Sequence, residues 1–302
     1  MPGVYHPARV RYASLDMSSE LERLLSLLDL EELEVDFFRG HSPQKGWQRV
    51  FGGQVLGQAL VAAGRTVETR QAHSFHAYFL RPGDRRAPIL YQVDRTRDGR
   101  SFTTRRVIAV QHGQAIFHME ASFHREERGP EHQPEMPDAP DPESLPAWRE
   151  VVQPLASKLP EEVREWLVRE PFDVRSVTEV DLLRPRARPP RLDLWIKVNG
   201  ALPAEPRLHQ CLVAYASDLS LLDTVCLPHA TSVFDPAHQF ASLDHAMWFH
   251  RPFRADEWLL YSQQSPLAAG ARGFATGRLF TRDGRLVVSV VQEGLIRPVA
   301  GR

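Results

Sequence analysis

The sequence predicts an α+β fold made of two tandem copies of one unit, each a long helix wrapped by an antiparallel sheet. Three observations carry this. Ser74–Pro82 (SFHAYFLRP) aligns without a gap on Asp244–Pro252 (DHAMWFHRP), and Arg100–Arg106 (RSFTTRR) aligns on Arg272–Arg278 (RGFATGR). With a one-residue gap, Gly113–Ile116 (GQAI) then falls on Gly284–Val287 (GRLV). Finally, the order of patterns, a helix followed by several strand-like runs, occurs twice, and a sheet folded over a helix is the simplest way to bury both.

The elements follow in order. Residues 1–16 match nothing in either copy and are expected to be a loosely held extension. In Ser18–Glu34, Leu21, Leu24, Leu25 and Leu28 share one stripe behind a serine cap, the pattern of an amphipathic helix. Phe51-Gly-Gly-Gln leads into Val55–Val67, an alanine-rich helix suited to close packing. Its glycines are not a phosphate loop, since no Gly-Lys-Ser/Thr follows. Runs at 73–81, 88–97, 101–111 and 114–124 are rich in Phe, Tyr, Val and Ile, with His112-Gly113 as a hairpin turn. The first unit therefore spans 17–128.

Gly129–Pro146 is loaded with proline and acidic residues. That is a linker composition, too poor in apolar groups to join either core, so exposure and early proteolysis are expected there. A short helix is predicted over Pro160–Arg169, within a connecting segment that spans 129–171. The second unit, 172–302, has strands near 174–181 and 192–198, then a helix over 205–225. Strands near 243–250, 257–265, 272–282 and 285–296 follow, and Asp283-Gly284 matches His112-Gly113.

Composition narrows the function. With 302 residues, 42% hydrophobic and 25% charged, the chain is an ordinary globular protein long enough for two domains. A net charge of -1 argues against nucleic acid or an acidic membrane surface as the main partner. No apolar run reaches membrane-spanning length and no secretory h-region follows the N-terminus, so neither a transmembrane helix nor export is expected. Cys211 and Cys226 are too few for a disulfide framework, and a reducing, cytoplasmic setting is expected. Thirteen histidines are present, yet there is no His-Glu-x-x-His and no Cys-x-x-Cys, so no metal site is expected. His73, His76, His245 and His250 read as ordinary strand residues, with His245 and His250 on opposite faces and His73 and His76 odd-spaced too.

Three polar residues stand where apolar ones are expected. Asp218 falls within the stripe of Cys211, Tyr215, Leu219 and Leu222, where a carboxylate is costly unless paired or used. Gln292 alternates with Leu286, Val288 and Val290, so its amide points where aliphatics point. Ser242 begins the strand that carries the repeat. Each has a bland reading: a core acid held by amides, a sheet-pinning hydrogen bond, a turn hydroxyl. Against this, the first unit has Ala72 and Ala121 in place of Ser242 and Gln292, and no carboxylate on its helix. One live site and one relic are therefore expected. Asp, Ser and Gln together can activate water: the carboxylate takes a proton while the hydroxyl and amide hold the water in place. Ser242 lacks a neighbouring histidine, and no Gly-x-Ser-x-Gly elbow exists, so a serine nucleophile is not expected.

Five strings, in order, resemble the acyl-CoA thioesterase II family, the double-hotdog thioesterases of bacteria and peroxisomes. They are Val50-Phe-Gly-Gly-Gln-Val-Leu-Gly-Gln-Ala-Leu, His73-Ser-Phe-His-Ala-Tyr-Phe-Leu-Arg-Pro-Gly-Asp84, Tyr215-Ala-Ser-Asp-Leu219, Asp244-His-Ala-Met-Trp-Phe-His-Arg-Pro-Phe253 and Val291-Gln-Glu-Gly294. The resemblance covers Met17 to Arg297 and implies two hotdog units in one chain. It implies hydrolysis of fatty acyl-CoA to free acid and CoA, with no cofactor or metal, by a water that Asp218, Ser242 and Gln292 orient. The family's bacterial members carry Thr at the hydroxyl position, so this chain follows the Ser variant. It also implies backbone donors for the carbonyl oxygen near a helix terminus, an apolar tunnel for the acyl chain and basic groups for the CoA phosphates. A homo-oligomer, dimer or tetramer, is expected. The Ser-Lys-Leu ending of peroxisomal members is replaced by Ala-Gly-Arg. Two other classes share features. A double-hotdog enoyl-CoA hydratase would need a Gly-Asp-x-Asn-Pro-x-His segment, which is absent, and a non-catalytic acyl-CoA-binding protein could lose the three polar residues, which are present.

Overall fold

The structure is a computed structural model and describes residues 19–43, 49–158, 161, 171–178 and 185–299. The N-terminal extension and nearly all of the segment predicted as a helix over Pro160–Arg169 lie outside the described residues.

The first half opens with α1 (Ser19–Leu28), then β1 (Glu31–Glu34) and β2 (Phe37–Gly40), before α2 (Gly52–Arg65). Four strands follow: β3 (Gln71–Phe79), β4 (Ile89–Asp98), β5 (Phe102–Gln111) and β6 (Gln114–His124). After the short α3 (Trp148–Val152), the second half runs β7 (Phe172–Ser176), β8 (Arg191–Val198), α4 (Pro206–Ser217) and α5 (Asp223–Cys226). It closes with β9 (His238–Ser242), β10 (Asp244–Phe249), β11 (Leu259–Ala269), β12 (Arg272–Thr281) and β13 (Leu286–Pro298).

One antiparallel sheet contains all of these strands, in the order β1-β2-β4-β5-β6-β3-β10-β13-β12-β11-β8-β7, with β9 added on β13. The halves join where β3 pairs β10, Ala246 opposite His76. The sequence repeat is carried into register. Ala72 faces Phe123 across β3 and β6, as Ser242 faces Gly294 across β9 and β13.

Alternation builds the core. On β4 Ile89, Tyr91 and Val93 point in, and on β5 Val107 and Ala109 do, all buried against α2 through Leu56, Ala59, Leu60 and Ala63. The two long helices run antiparallel on the same face. The Arg207 guanidinium at the start of α4 reaches the Gly64 carbonyl at the end of α2 (2.9 Å). At the other end a Cβ on Gly53 would collide with the Tyr215 carbonyl, so only glycine permits this approach.

Four expectations are corrected. The predicted helix over Ser18–Glu34 stops at Leu28, where its leucine stripe ends. The chain then forms the β1–β2 hairpin, turned at Asp36 in the left-handed region (φ 62), and β2 delivers Phe38 to the core. The helix predicted over 205–225 is broken at Asp218, its C-cap, and resumes only as α5. Ser242 ends a separate strand, β9, rather than beginning β10.

Finally, the proline-rich segment is not a free linker. Met136, Ala139 and Leu145 pack on Trp195, Trp258, Leu260, Phe280 and Leu286, on the side of the sheet away from α4. The indole N–H of Trp195 donates to the Pro140 carbonyl (2.9 Å) and that of Trp258 to Glu143 (3.0 Å). Arg282 pairs with Asp141 and Glu143. The segment is a strap held by a few well-placed contacts, which its low apolar content concealed. One smaller difference concerns histidines. A bulge between Ala72 and Ser74 leaves both His73 and His76 off the core face, whereas His245 points in and His250 is exposed.

Candidate active site

The three polar residues singled out in the sequence meet. Asp218 caps α4, Ser242 ends β9 and Gln292 lies on β13, two residues before the Gly294 that faces Ser242. The Gln292 amide donates to Asp218 Oδ1 (2.7 Å) and to Ser242 Oγ (2.7 Å). Ser242 Oγ donates to the same Oδ1 (3.2 Å). Gln292 is fully buried, and turning its amide over would set oxygen against carboxylate, so its orientation is fixed by charge.

The acid does not sit within an uninterrupted helical stripe. It leaves the last turn of α4 with φ -91 and ψ 1, which aims its side chain along the helix end toward the other half. There it meets the N-terminus of α2. The Gly53 N–H donates to the carboxylate. A Cβ on Gly52 would lie 2.5 Å from Asp218 Oδ2 and 3.1 Å from the Phe79 ring. The site is thus shared: three side chains from the second half, backbone donors and Phe79 from the first. The sequence reading missed Gly52 and Gly53, whose signal was the Phe51-Gly-Gly-Gln string directly before a helix.

Asp218 is not fully closed off from solvent, yet enough protein surrounds it to strip most of its hydration. Burial pushes its carboxyl up to about 6, against the pull of the donors on Gln292, Ser242 and Gly53. A carboxylate at that value is ionised near neutrality and basic enough to accept a proton.

Beneath it lies a second polar layer. Ser217 Oγ is 2.9 Å from His245 Nε2, and the Tyr261 hydroxyl donates to the Ser217 carbonyl (2.9 Å). Burial pushes His245 down to about 3, so it is neutral, and no contact joins it to Asp218. It supports the helix end. Beside Ser217 and Tyr261, a narrow apolar slot opens between α4 and the sheet, lined by Phe172, Ile196, Val213, Ala216, Leu259 and Leu279. Among the described residues no group of three or more His, Cys, Asp or Glu side chains is placed to hold a metal ion.

The corresponding place in the first half is built differently. The C-cap of α2 is Thr66, with φ -95 and ψ 4, at the position Asp218 holds on α4. Its hydroxyl accepts from the buried Arg105 guanidinium (2.8 Å), which also reaches Asp98 (2.7 Å). Arg105 aligns with Gly277 of the second half. Ala72 and Ala121 are buried there, and α4 begins with Pro206 and Arg207 in place of the Gly52–Gly53 pair. Acid, hydroxyl and amide are all replaced.

Comparison with known proteins shows the family. Residues 188–295 match the family described as acyl-CoA thioesterase, and residues 41–124 match the acyl-CoA thioesterase N-terminal domain. The chain is similar to acyl-CoA thioesterase 2 of Haemophilus influenzae, 41% identical over 283 residues covering 93% of this chain and 99% of that protein. It is similar to acyl-coenzyme A thioesterase 8 of Mus musculus, 42% identical over 295 residues covering 93% of this chain and 92% of the relative. Its fold is similar to the crystal structure of an acyl-CoA thioesterase II from Mycobacterium marinum. That match has a TM-score of 0.76 and 44% identity, covering 92% of this chain and 100% of the other.

Proposed function

This chain belongs to the acyl-CoA thioesterase family, and from that premise we propose how its own residues hydrolyse fatty acyl-CoA to free acid and CoA within a double-hotdog fold. The observation that carries the proposal is the convergence of Gln292 and Ser242 on one oxygen of Asp218, at the N-terminus of α2.

The second oxygen of Asp218 faces Gly52 and is where water docks. Asp218 accepts one proton from that water as its oxygen attacks the thioester carbonyl. Ser242 and Gln292 do not react. They hold the carboxylate in one rotamer and spread its charge, so the attacking water meets it at a fixed angle. Charge that develops on the carbonyl oxygen is received by N–H groups of the first turn of α2 other than that of Gly53, where the helix dipole adds to them. The C–S bond then breaks, and the proton held by Asp218 passes to the leaving thiolate. Water and thioester have become acid and thiol, and the carboxylate is regenerated.

The slot beside Ser217 and Tyr261 has aliphatic and aromatic walls but a volume of only about 10 Å³, room for one water, so it marks an apolar wall of the site and not a formed tunnel for the acyl chain. We place catalysis in this site alone, the first half having Thr66 bound to a guanidinium where the second has its acid. Release of CoA from palmitoyl-CoA, with crotonyl-CoA hydration as control, tests the reaction class. Hydration without hydrolysis would overturn it.

Two further assignments belong to the same proposal. Among the described residues no helix is long and apolar enough to cross a membrane. Both cysteines are buried free thiols, which supports a reducing compartment, and the cytoplasm is proposed as the site of action. A homo-oligomer is proposed as the working form, to be checked by light scattering.

A further inference from the structure

The loop that carries Asp218 rests on glycines. Between Asp218 and Cys226 the chain turns off α4 and lies down on the sheet, with Leu222 and Val225 set against glycines and Ser220 donating to Gln263 of β11 (3.1 Å). A Cβ on Gly294 would overlap Leu222, and a Cβ on Gly273 would overlap Val225. Gly273 and Gly294 face each other across β12 and β13, and Gly294 faces Ser242 across β9. At the next inward-facing level Ala275 faces Gln292. Two bare patches of strand thus sit side by side, directly next to the amide and the hydroxyl, and two aliphatic knobs seat in them.

This arrangement exists in one half only. The residue equivalent to Gly294 is Phe123, which is buried, and the residue aligned with Gly273 is Ser101. After α2 the chain passes straight from Thr66 into β3, with no second helix to seat. Sockets and candidate catalytic residues occur together, and both are absent together.

We propose that Gly273 and Gly294 are positioning residues for hydrolysis: they set the height of the 218–226 loop above the sheet, and so hold the Asp218 carboxylate within reach of Gln292 and Ser242. The inference rests on Asp218 being the base. A methyl at Gly294 lifts Leu222, and with it the loop, by a fraction of an ångström to an ångström. Displacement of that order lengthens the 2.7 Å contact from Gln292 beyond hydrogen-bonding distance. Neither glycine touches the N-terminus of α2, so substrate binding there is left in place.

The test is a cycle of Gly294→Ala, Leu222→Ala and the double variant, assayed with palmitoyl-CoA. Gly294→Ala should lose about 10- to 100-fold in kcat, the scale set by a misplaced catalytic group, with KM nearly unchanged. Its acidic pH limb should move up, because Asp218 loses the donors that oppose its burial. Adding Leu222→Ala empties the collision, so the double variant should regain most of that kcat. A merely structural glycine would make the two losses add in stability without restoring turnover. Full kcat in folded Gly294→Ala, or no recovery in the double variant, overturns the proposal. Should Gly294→Ala not fold, Leu222→Phe enlarges the knob above an intact socket, and unchanged kcat there overturns it equally. Asp218→Asn run alongside separates the two ideas: if it keeps full turnover, the base assignment itself is wrong.

Discussion

Replacing Asp218 by Asn separates what the carboxylate does for chemistry from what it does to the fold. For chemistry, Asn keeps the shape and loses the base, so kcat should fall by about 10²–10⁴-fold, the usual yield of a positioned general base. In the parent enzyme kcat/KM should rise with pH through about 6, where Asp218 ionises, and this limb should be missing from the variant's residual activity. For the fold, the sign runs the other way. Burial raises the carboxyl from 3.8 to about 6, so the folded state holds that proton more tightly than the unfolded chain does. Stability from this group is full below 3.8 and is lost as pH rises through about 6. The complete loss is about 3 kcal/mol, of which about 2 kcal/mol develops between pH 4.5 and 7.5. Asn carries no such dependence. It does set an N–H against the Gly53 N–H, a fixed penalty of about 1–3 kcal/mol at every pH. Urea denaturation of both proteins at pH 4.5 and 7.5 isolates the variable part: relative to the parent, the variant should gain about 2 kcal/mol at the higher pH. An equal difference at the two pH values, with turnover lost, would mean that Asp218 is not desolvated as described. A folded variant with full turnover would falsify the mechanism.

Gln292→Ala should cut kcat by a factor similar to or smaller than Asp218→Asn, while Ser242→Thr stays near the parent and Ser242→Ala is clearly worse; steady-state kinetics decides, and equal activity of the Ala and Thr variants would remove the hydroxyl from the site. Gly53→Ala drives a methyl into the Tyr215 carbonyl, so it should destabilise the protein by about 1–3 kcal/mol as an overpacked contact and lower kcat, read from urea midpoints and CoA release. Leu145→Asp places a charge against Trp258 and Phe280 and should free the strap, so that proteinase K cuts within 129–146 sooner than in the parent. Identical digestion rates would show that the strap is not docked.

Much of this was readable from residue order, for identifiable reasons. A repeat that keeps turn residues and strand alternation fixes sheet register, which is why Ala72 and Ser242 emerge at matching positions. Asp218 and Gln292 were visible because polarity among apolar neighbours is conspicuous, and Ser242 because the repeat sets it against Ala72. What remained hidden depends on contacts between distant segments. The break at Asp218 has no proline or glycine to mark it; it goes with Leu222 and Val225 seating on distant strand glycines. The strap was invisible because three apolar side chains and two indole N–H groups do what a hydrophobic run would otherwise do. Gly52 and Gly53 were seen, but a backbone donor acquires meaning only from what it faces.

The antiparallel pair of α2 and α4 has one more consequence. In a dimer of identical subunits, each helix end would face the same partner, and both sites would carry the same residues. Here the two halves are joined covalently, so each can specialise. The half with Gly52 and Gly53 keeps its donors and is free to put Thr66 and Arg105 where its own acid would stand. The half with Asp218 keeps its acid and is free to begin α4 with Pro206 and the bulky Arg207 in place of two glycines. Tethering fixes the stoichiometry of these unlike parts at one to one and replaces a concentration-dependent encounter with an intramolecular one. Neither half is dispensable, and substitutions in the first half should divide sharply: severe at the start of α2, mild around Ala121.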